Sequence, residues 1–395
     1  MPGAFKRAGI IGSFIGVIIT GIILMISNLK LLRGYEFVKE KRICDYSSVV
    51  EAVFIKSKHL KHRKFAKVAR WIANYFMATA AFGYQAVFLL FSAEMAYDIA
   101  LEYFPRKMNF PLYYYQIAMA CILILVSMVT SVRILSFLSM TTSIFTVGSY
   151  IIMVAYAQFD QIPIENLKLY PDSTDSILGL GTVVFGMGGC VLVIQLASRM
   201  KHQGEAIRWN GPMGLAHAFT TIGFCIVGFY GYVKFGNQST LFIKDLPKYW
   251  LFDILKCFWF VSIFAFYNMC SGILIDITWK PIKHRLENRP KKLSIFIEVF
   301  LRIIFVVLNT CLTATVPCLE QWISLVGAFS CSGINLLVPP VVDHIVDCNV
   351  DNHKHFRLKV LSNIFHFSFG ILATVIGTYE AIREMRVLLQ TESCV

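Results

Sequence analysis

Ten stretches of the chain are almost wholly apolar, and each is long enough to cross a bilayer, which takes about 20 residues of helix. They run Ala8–Leu29, Trp71–Tyr97, Leu112–Thr130, Ile134–Ala157, Ile177–Ala197, Met213–Val233, Trp250–Leu274, Ser294–Val316, Trp322–Val341 and Leu361–Ile382. A tight turn near Ser131–Arg133 separates the third from the fourth. The pattern predicts an all-α polytopic membrane protein. Residues 1–395 form one transmembrane domain, with no room for a separate soluble one and no removable signal peptide. Within the polar segment 30–70, Val49, Val50, Val53 and Phe54 recur among charges. That spacing predicts a short amphipathic helix against the membrane face or the bundle.

Charge gives this array a direction. Twelve of the 37 Lys and Arg residues fall in segment 30–70, and positive loops stay on the cytoplasmic side. Alternating from there puts 25 basic residues inside and ten outside, with Lys256 and Arg302 within spans. The loop Phe159–Asp175, with four acids and one Lys, falls outside. Ten spans place both termini outside; an eleventh helix upstream would bring the N-terminus in. The net charge of +13 therefore reports membrane orientation, and no nucleic-acid partner is expected. A chain 56% hydrophobic and only 15% charged is not an ordinary soluble enzyme, a secreted disulfide scaffold or a disordered polymer. Cysteines such as Cys121, Cys190, Cys225, Cys257, Cys270, Cys311 and Cys331 are scattered singly through apolar runs. They read as buried thiols, and no metal or cofactor is expected.

The segment Gly179–Gly189 holds five glycines in eleven residues inside a span. Each glycine weakens helix by about 1 kcal/mol relative to alanine. Two readings stand open: close helix packing through small residues, or a broken helix whose free N–H and C=O groups hold a substrate. Gly12 and Gly16 form a GxxxG on the first span, expected to pack helices. Glu94 and His366, ionisable groups within spans, are candidates for a proton or charge relay. Glu298 and Arg302, four residues apart, are expected to pair, and Lys256 to snorkel to the outer interface. Asn237-Gln238-Ser239 is a glycosylation sequon on the outer side, too near the sixth span for ready access. The chain has no Walker motif, GxSxG, HExxH or dinucleotide fingerprint. No enzymatic activity is expected, and secondary transport, a channel or a membrane receptor remain.

Five further stretches carry a resemblance. Pro2-Gly3-Ala4-Phe5-Lys6-Arg7-Ala8-Gly9 looks like "LP-x-AFK-x-AG", and Asp45–Ala52 like a cytoplasmic stretch after a second helix. Gly231–Gly236 looks like "GYLKFG". Pro317-Cys318-Leu319, Ile323–Ser330 and Pro339-Pro340 look like "IP-x-L…ISLVGAFSSS…PP", and Gly377–Ala381 reads "GTYEA". In this order they resemble the amino acid/auxin permease superfamily, and within it the proton-coupled amino acid transporters.

The resemblance implies the inverted-repeat (LeuT/APC-like) transporter fold, with about ten helices present of an expected eleven. It implies secondary transport of small neutral amino acids by alternating access, with protons as co-substrate and the lipid bilayer as surroundings. The membrane would be the plasma membrane or a lysosomal or vacuolar one. The glycine-rich span matches the family's broken helix six, where Thr182, Phe185 and Gly189 fit its "T-x-x-F…G" pattern. Gly186 and Gly188 complete the candidate substrate-binding set. The chain departs from the family at Gly188, where a glutamate is usual, and at Gln195 and Ala197, which replace a proline and a second glutamate. The family's "GTG-x-L-x-LP" motif would lie upstream of Met1. These departures keep a second reading open: a non-transporting amino-acid sensor or degenerate paralogue.

Overall fold

The computed structural model describes residues 1–38, 45–104, 110–129, 131–159, 161–170, 175–200, 203–205, 208–236, 243, 246–285, 291–349 and 356–390. Every predicted span overlaps a helix. Among the described residues, eight helices are long and apolar enough to cross a membrane. The other two spans, one short and one interrupted, need special arrangements.

The first helix, α1 (Pro2–Val38), is two helices joined at Gly9, whose φ of 70° favours glycine. A side chain there would also lie 2.9 Å from the main-chain oxygens of Leu169 and Tyr170. Beyond the kink, the N–H groups of Ile10 and Ile11 donate to the carbonyls of Lys168 and Leu169 at 3.1 Å. The outer loop thus serves as the cap of the membrane-crossing part. The result is a short outer arm before Gly9 and a long span after it.

The expected amphipathic helix is α2 (Tyr46–Lys56), capped by Asp45. Val49, Val50 and Val53 are buried against Leu31, Tyr35, Ala73 and Val342, so it packs on the bundle. Next, α3 (Leu60–Tyr103) has 44 residues, about 66 Å at 1.5 Å per residue. That exceeds the hydrocarbon thickness of about 30 Å, and its basic first turns stand outside the membrane core.

The short span is α4 (Leu112–Ser127), with 16 residues. Its terminal carbonyls are met by side chains. Asn268 donates to Val126 and Val129 at 2.6 and 3.0 Å, and Arg302 to Ser127 at 2.6 Å. Unsatisfied carbonyls at that depth would cost several kcal/mol each. Arg302 also makes the expected i,i+4 pair with Glu298, at 2.9 Å.

There follow α5 (Val132–Ala157), the two halves α6 (Asp175–Met187) and α7 (Cys190–Arg199), α8 (Pro212–Phe235), α9 (Trp250–Arg285) and α10 (Lys291–Thr315). Then α11 (Leu319–Val326) runs through the π-helical segments Gly327–Cys331 and Gly333–Leu337 into α12 (Val338–Asn349), and α13 (Phe356–Gln390) closes the chain. The widened π turns free carbonyls, and neighbours take them up. Tyr46 donates to Ile334 O at 2.7 Å, Ser332 to Gly327 O at 3.1 Å, and Ser27 to Asn335 O.

Three expectations change. Lys256 does not snorkel: it is 6% exposed and pairs with Glu102 at 3.4 Å, because a carboxylate lies within reach inside the protein. Gly16 of the GxxxG makes only ordinary contact with Leu180, whereas the tight crossings on α1 are at Gly21 against Thr221 and Gly34 against Val342. Of the cysteines expected as buried thiols, Cys225 and Cys331 are buried but Cys121, Cys257 and Cys311 are exposed on the outside of the bundle, and Cys318 is disulfide-bonded. It lies between α10 and α11, on the side that charge assigns to the exterior, and disulfides persist in oxidising compartments. The sequon Asn237-Gln238-Ser239 lies outside the described residues.

Candidate functional site

The glycine-rich span shows both close packing and a helix break, at different glycines. Gly181 and Gly327 lie back to back: a side chain at Gly327 would fall on Gly181 O, and one at Gly181 would come 2.7 Å from Ser324 O. Gly186 faces Met1 and Phe224, the nearest atoms to a side chain there being 2.8 and 3.0 Å away. These glycines let α6 press on α1, α8 and α11. The break falls two residues later, where Gly188 and Gly189 are non-helical between α6 and α7. The span is therefore interrupted near its middle, and each half presents an end there.

Those ends carry opposite partial charge. The last carbonyls of α6 and the first N–H groups of α7 lack helical partners. One of the carbonyls is accounted for, since Tyr84 of α3 donates its hydroxyl to Phe185 O at 2.9 Å. The Tyr84 ring lies against the Phe185 ring, 4.5 Å between centroids, and its hydroxyl accepts from Cys331 Sγ at 3.2 Å. Asn335 donates to Cys331 O at 2.6 Å. A side chain at Gly188 would meet Val184 O, Tyr84 Oη and Asn335 Nδ2 at 3.0, 3.1 and 3.2 Å. At Gly189 it would meet nothing within 4 Å. Gly189 also precedes α7 without a side-chain cap, which leaves the start of α7 open to a ligand's own oxygens.

The structure thus brings Phe185, Gly188 and Gly189 together at the break. Thr182 lies further up α6, with its hydroxyl 3.1 Å from Ser324 Oγ. Gly186 points to α1 and α8. Glu94 and His366 are far apart: Glu94 lies near the outer end of α3, while His366 lies beside Lys30 in the inner half of α1, Nδ1 to Nζ 3.4 Å. Sequence reasoning missed Tyr84, Ser324, Cys331 and Asn335. Asn335 carried a signal, an amide inside an apolar run two residues past a glycine. Tyr84 carried none.

Ion pairs flank the break on both sides. Outside, Arg7 on the outer arm of α1 reaches Glu384 at 2.8 Å and Glu320 at 3.1 Å, joining α1, α11 and α13. Inside, Arg33 on the same helix bonds Asp343 and, at 2.8 Å, Asp347 of α12.

A family model described as transmembrane amino acid transporter protein matches residues 1–383. The chain belongs to this family. Among similar proteins, the proton-coupled amino acid transporter-like protein pathetic of Drosophila melanogaster is 24% identical over 394 residues, covering 98% of this chain and 81% of the relative. The probable amino acid transporter skat-1 of Caenorhabditis elegans is 19% identical over 404 residues, covering 97% and 85%. As a transmembrane amino acid transporter protein, the chain is a multi-pass integral membrane protein, and its family makes amino acids the class of cargo.

Proposed function

We propose that this chain carries small neutral amino acids across its membrane by alternating access, in symport with protons. The observation that carries this is the open break at Gly188–Gly189. A zwitterion suits it from both ends. Its ammonium meets the free carbonyls closing α6, and its carboxylate meets the uncapped N–H groups opening α7. The groups around the break are neutral: Tyr84, Cys331, Asn335 and the Phe185 ring. A charged substrate side chain would have to be buried there unpaired, at a cost of several kcal/mol. The space beside Gly189 suits a small side chain, with Phe185 and Tyr84 as its apolar wall. The name of the Drosophila relative supports the proton as co-substrate.

The test is uptake of labelled alanine and glycine by cells expressing the protein at equal surface level. Gly189→Ala should retain uptake, and Gly189→Leu, which fills the space, should abolish it. Unchanged uptake in the leucine variant would sink the site assignment. Alanine binding without flux in the parent protein would instead favour the sensor, for which the replacement of the family's glutamate by Gly188 is the supporting observation.

A further inference from the structure

A second polar cluster lies on the cytoplasmic side of the break, and substrate binding does not use it. Lys30 of α1 and His366 of α13 are 6% and 4% exposed, with Nζ 3.4 Å from Nδ1. One turn along α1, Arg33 bonds Asp343 and Asp347. Lys359 of α13 is 3.5 Å from Asp347, and Asn363 donates to Asp343 at 3.2 Å. Glu36, exposed on α1, acts on Arg33, and three other titratable groups nearby have partners of their own. His217 of α8 meets Asn28, two residues from Lys30 and so on another face of α1. Glu51 of α2 is held by Arg70 at 2.6 Å, and His344 of α12 by Cys348.

The contact between Lys30 and His366 singles out one proton. Arg33 and Lys359 pair directly with Asp343 and Asp347, and the exposed Glu36 acts on Arg33 from the solvent side. Among the described residues, Lys30 is the buried cation of this cluster with no carboxylate in ion-pair contact, and burying such a charge is costly. Its ammonium donates to Nδ1, which puts the imidazole's own proton on Nε2. That nitrogen is buried with no hydrogen-bond partner among the described residues, as are Asp347 Oδ2 and Asn363 Oδ1. A second proton on His366 would set two cations side by side. The pair therefore holds one exchangeable proton, and its loss leaves a neutral amine beside a neutral imidazole. Only N–H bonds are made and broken, with water as the other partner. Arginine does not give up its proton in proteins, so Arg33 cannot take this part.

The cluster is also wired to the break. Ser27, one turn from Lys30, donates to Asn335 O, and the Asn335 amide is what a side chain at Gly188 would strike, at 3.2 Å. We infer that Lys30 and His366 form the proton-binding site of this transporter, set apart from the substrate break and linked to it through Ser27 and the π-helical turn at Asn335. The inference rests on the transport reading above.

The experiment uses the full-length protein in liposomes, with labelled alanine as probe. It reads accumulation under an imposed pH gradient and alanine–alanine exchange without one. The parent protein should exchange, and should accumulate about tenfold per pH unit if one proton moves with each substrate. Lys30→Arg keeps the charge but cannot release it. His366→Gln still accepts from Lys30 but takes no proton. Both should exchange and fail to accumulate. A parent protein that exchanges without answering the gradient overturns the inference, as do variants that accumulate normally. Variants that lose exchange as well assign the pair to the fold. If the parent protein neither exchanges nor accumulates, the transport reading itself fails.

Discussion

Two adjacent glycines at the break play unequal parts. A methyl group at Gly188 would sit 3.0–3.2 Å from a main-chain oxygen, a phenol and an amide, so these must give by a few tenths of an ångström. Gly188→Ala should therefore reduce uptake more than Gly189→Ala at equal surface expression. Tyr84→Phe tests the other side of the break. It removes the donor to Phe185 O, and a stranded buried carbonyl costs about 1–3 kcal/mol. Its melting temperature in detergent should fall, and so should its apparent affinity for alanine. The break was legible in the sequence because glycine density is a local property. Its surroundings were not. Tyr84 lies about a hundred positions from Phe185 and reads, in its own span, as one more aromatic among apolar neighbours. Only the fold, which brings Tyr84 against Phe185, gives its hydroxyl a partner.

Helices were legible wherever apolar length alone specified them. The amphipathic α2 was found from four apolar residues among charges, and the Glu298–Arg302 pair from its spacing. Long-range partners escaped. Lys256 looked free to reach the interface because Glu102, 154 positions away, had no visible relation to it. The π-helical course of the chain through Gly327–Leu337 was likewise invisible, since its carbonyls are taken by Ser27 and Tyr46 from remote helices. At this scale α12 depends on α1 through ion pairs to two buried carboxylates. Asp343 and Asp347 have side chains only 4% exposed, and Arg33 holds both. Removing one partner of a buried pair costs about 3–5 kcal/mol, because the other charge stays buried. Arg33→Met should lower the melting temperature markedly, and adding Asp343→Asn and Asp347→Asn should restore part of the loss.

Over the whole molecule, α1 carries ion pairs on both sides of the break. Its outer arm ties Glu320 and Glu384, and its inner end ties Asp343 and Asp347, so this structure is fastened on both sides of the break. Alternating access requires one fastening to open at a time. A cysteine at Gly189 reports which: Arg7→Met should speed its labelling by a membrane-impermeant thiol reagent added outside, relative to Gly189→Cys alone. Equal labelling rates would show that Arg7 does not guard the break. The interruption between α6 and α7 has one more consequence, for how the molecule is made. Neither half is long enough to span a bilayer, and their facing ends need partners that lipid cannot offer. As the chain leaves the ribosome, Tyr84 has already been synthesised when α6 emerges, but Ser324, Gly327 and Asn335 have not. This span therefore stays half-supported until Ser324, Gly327 and Asn335 have been made.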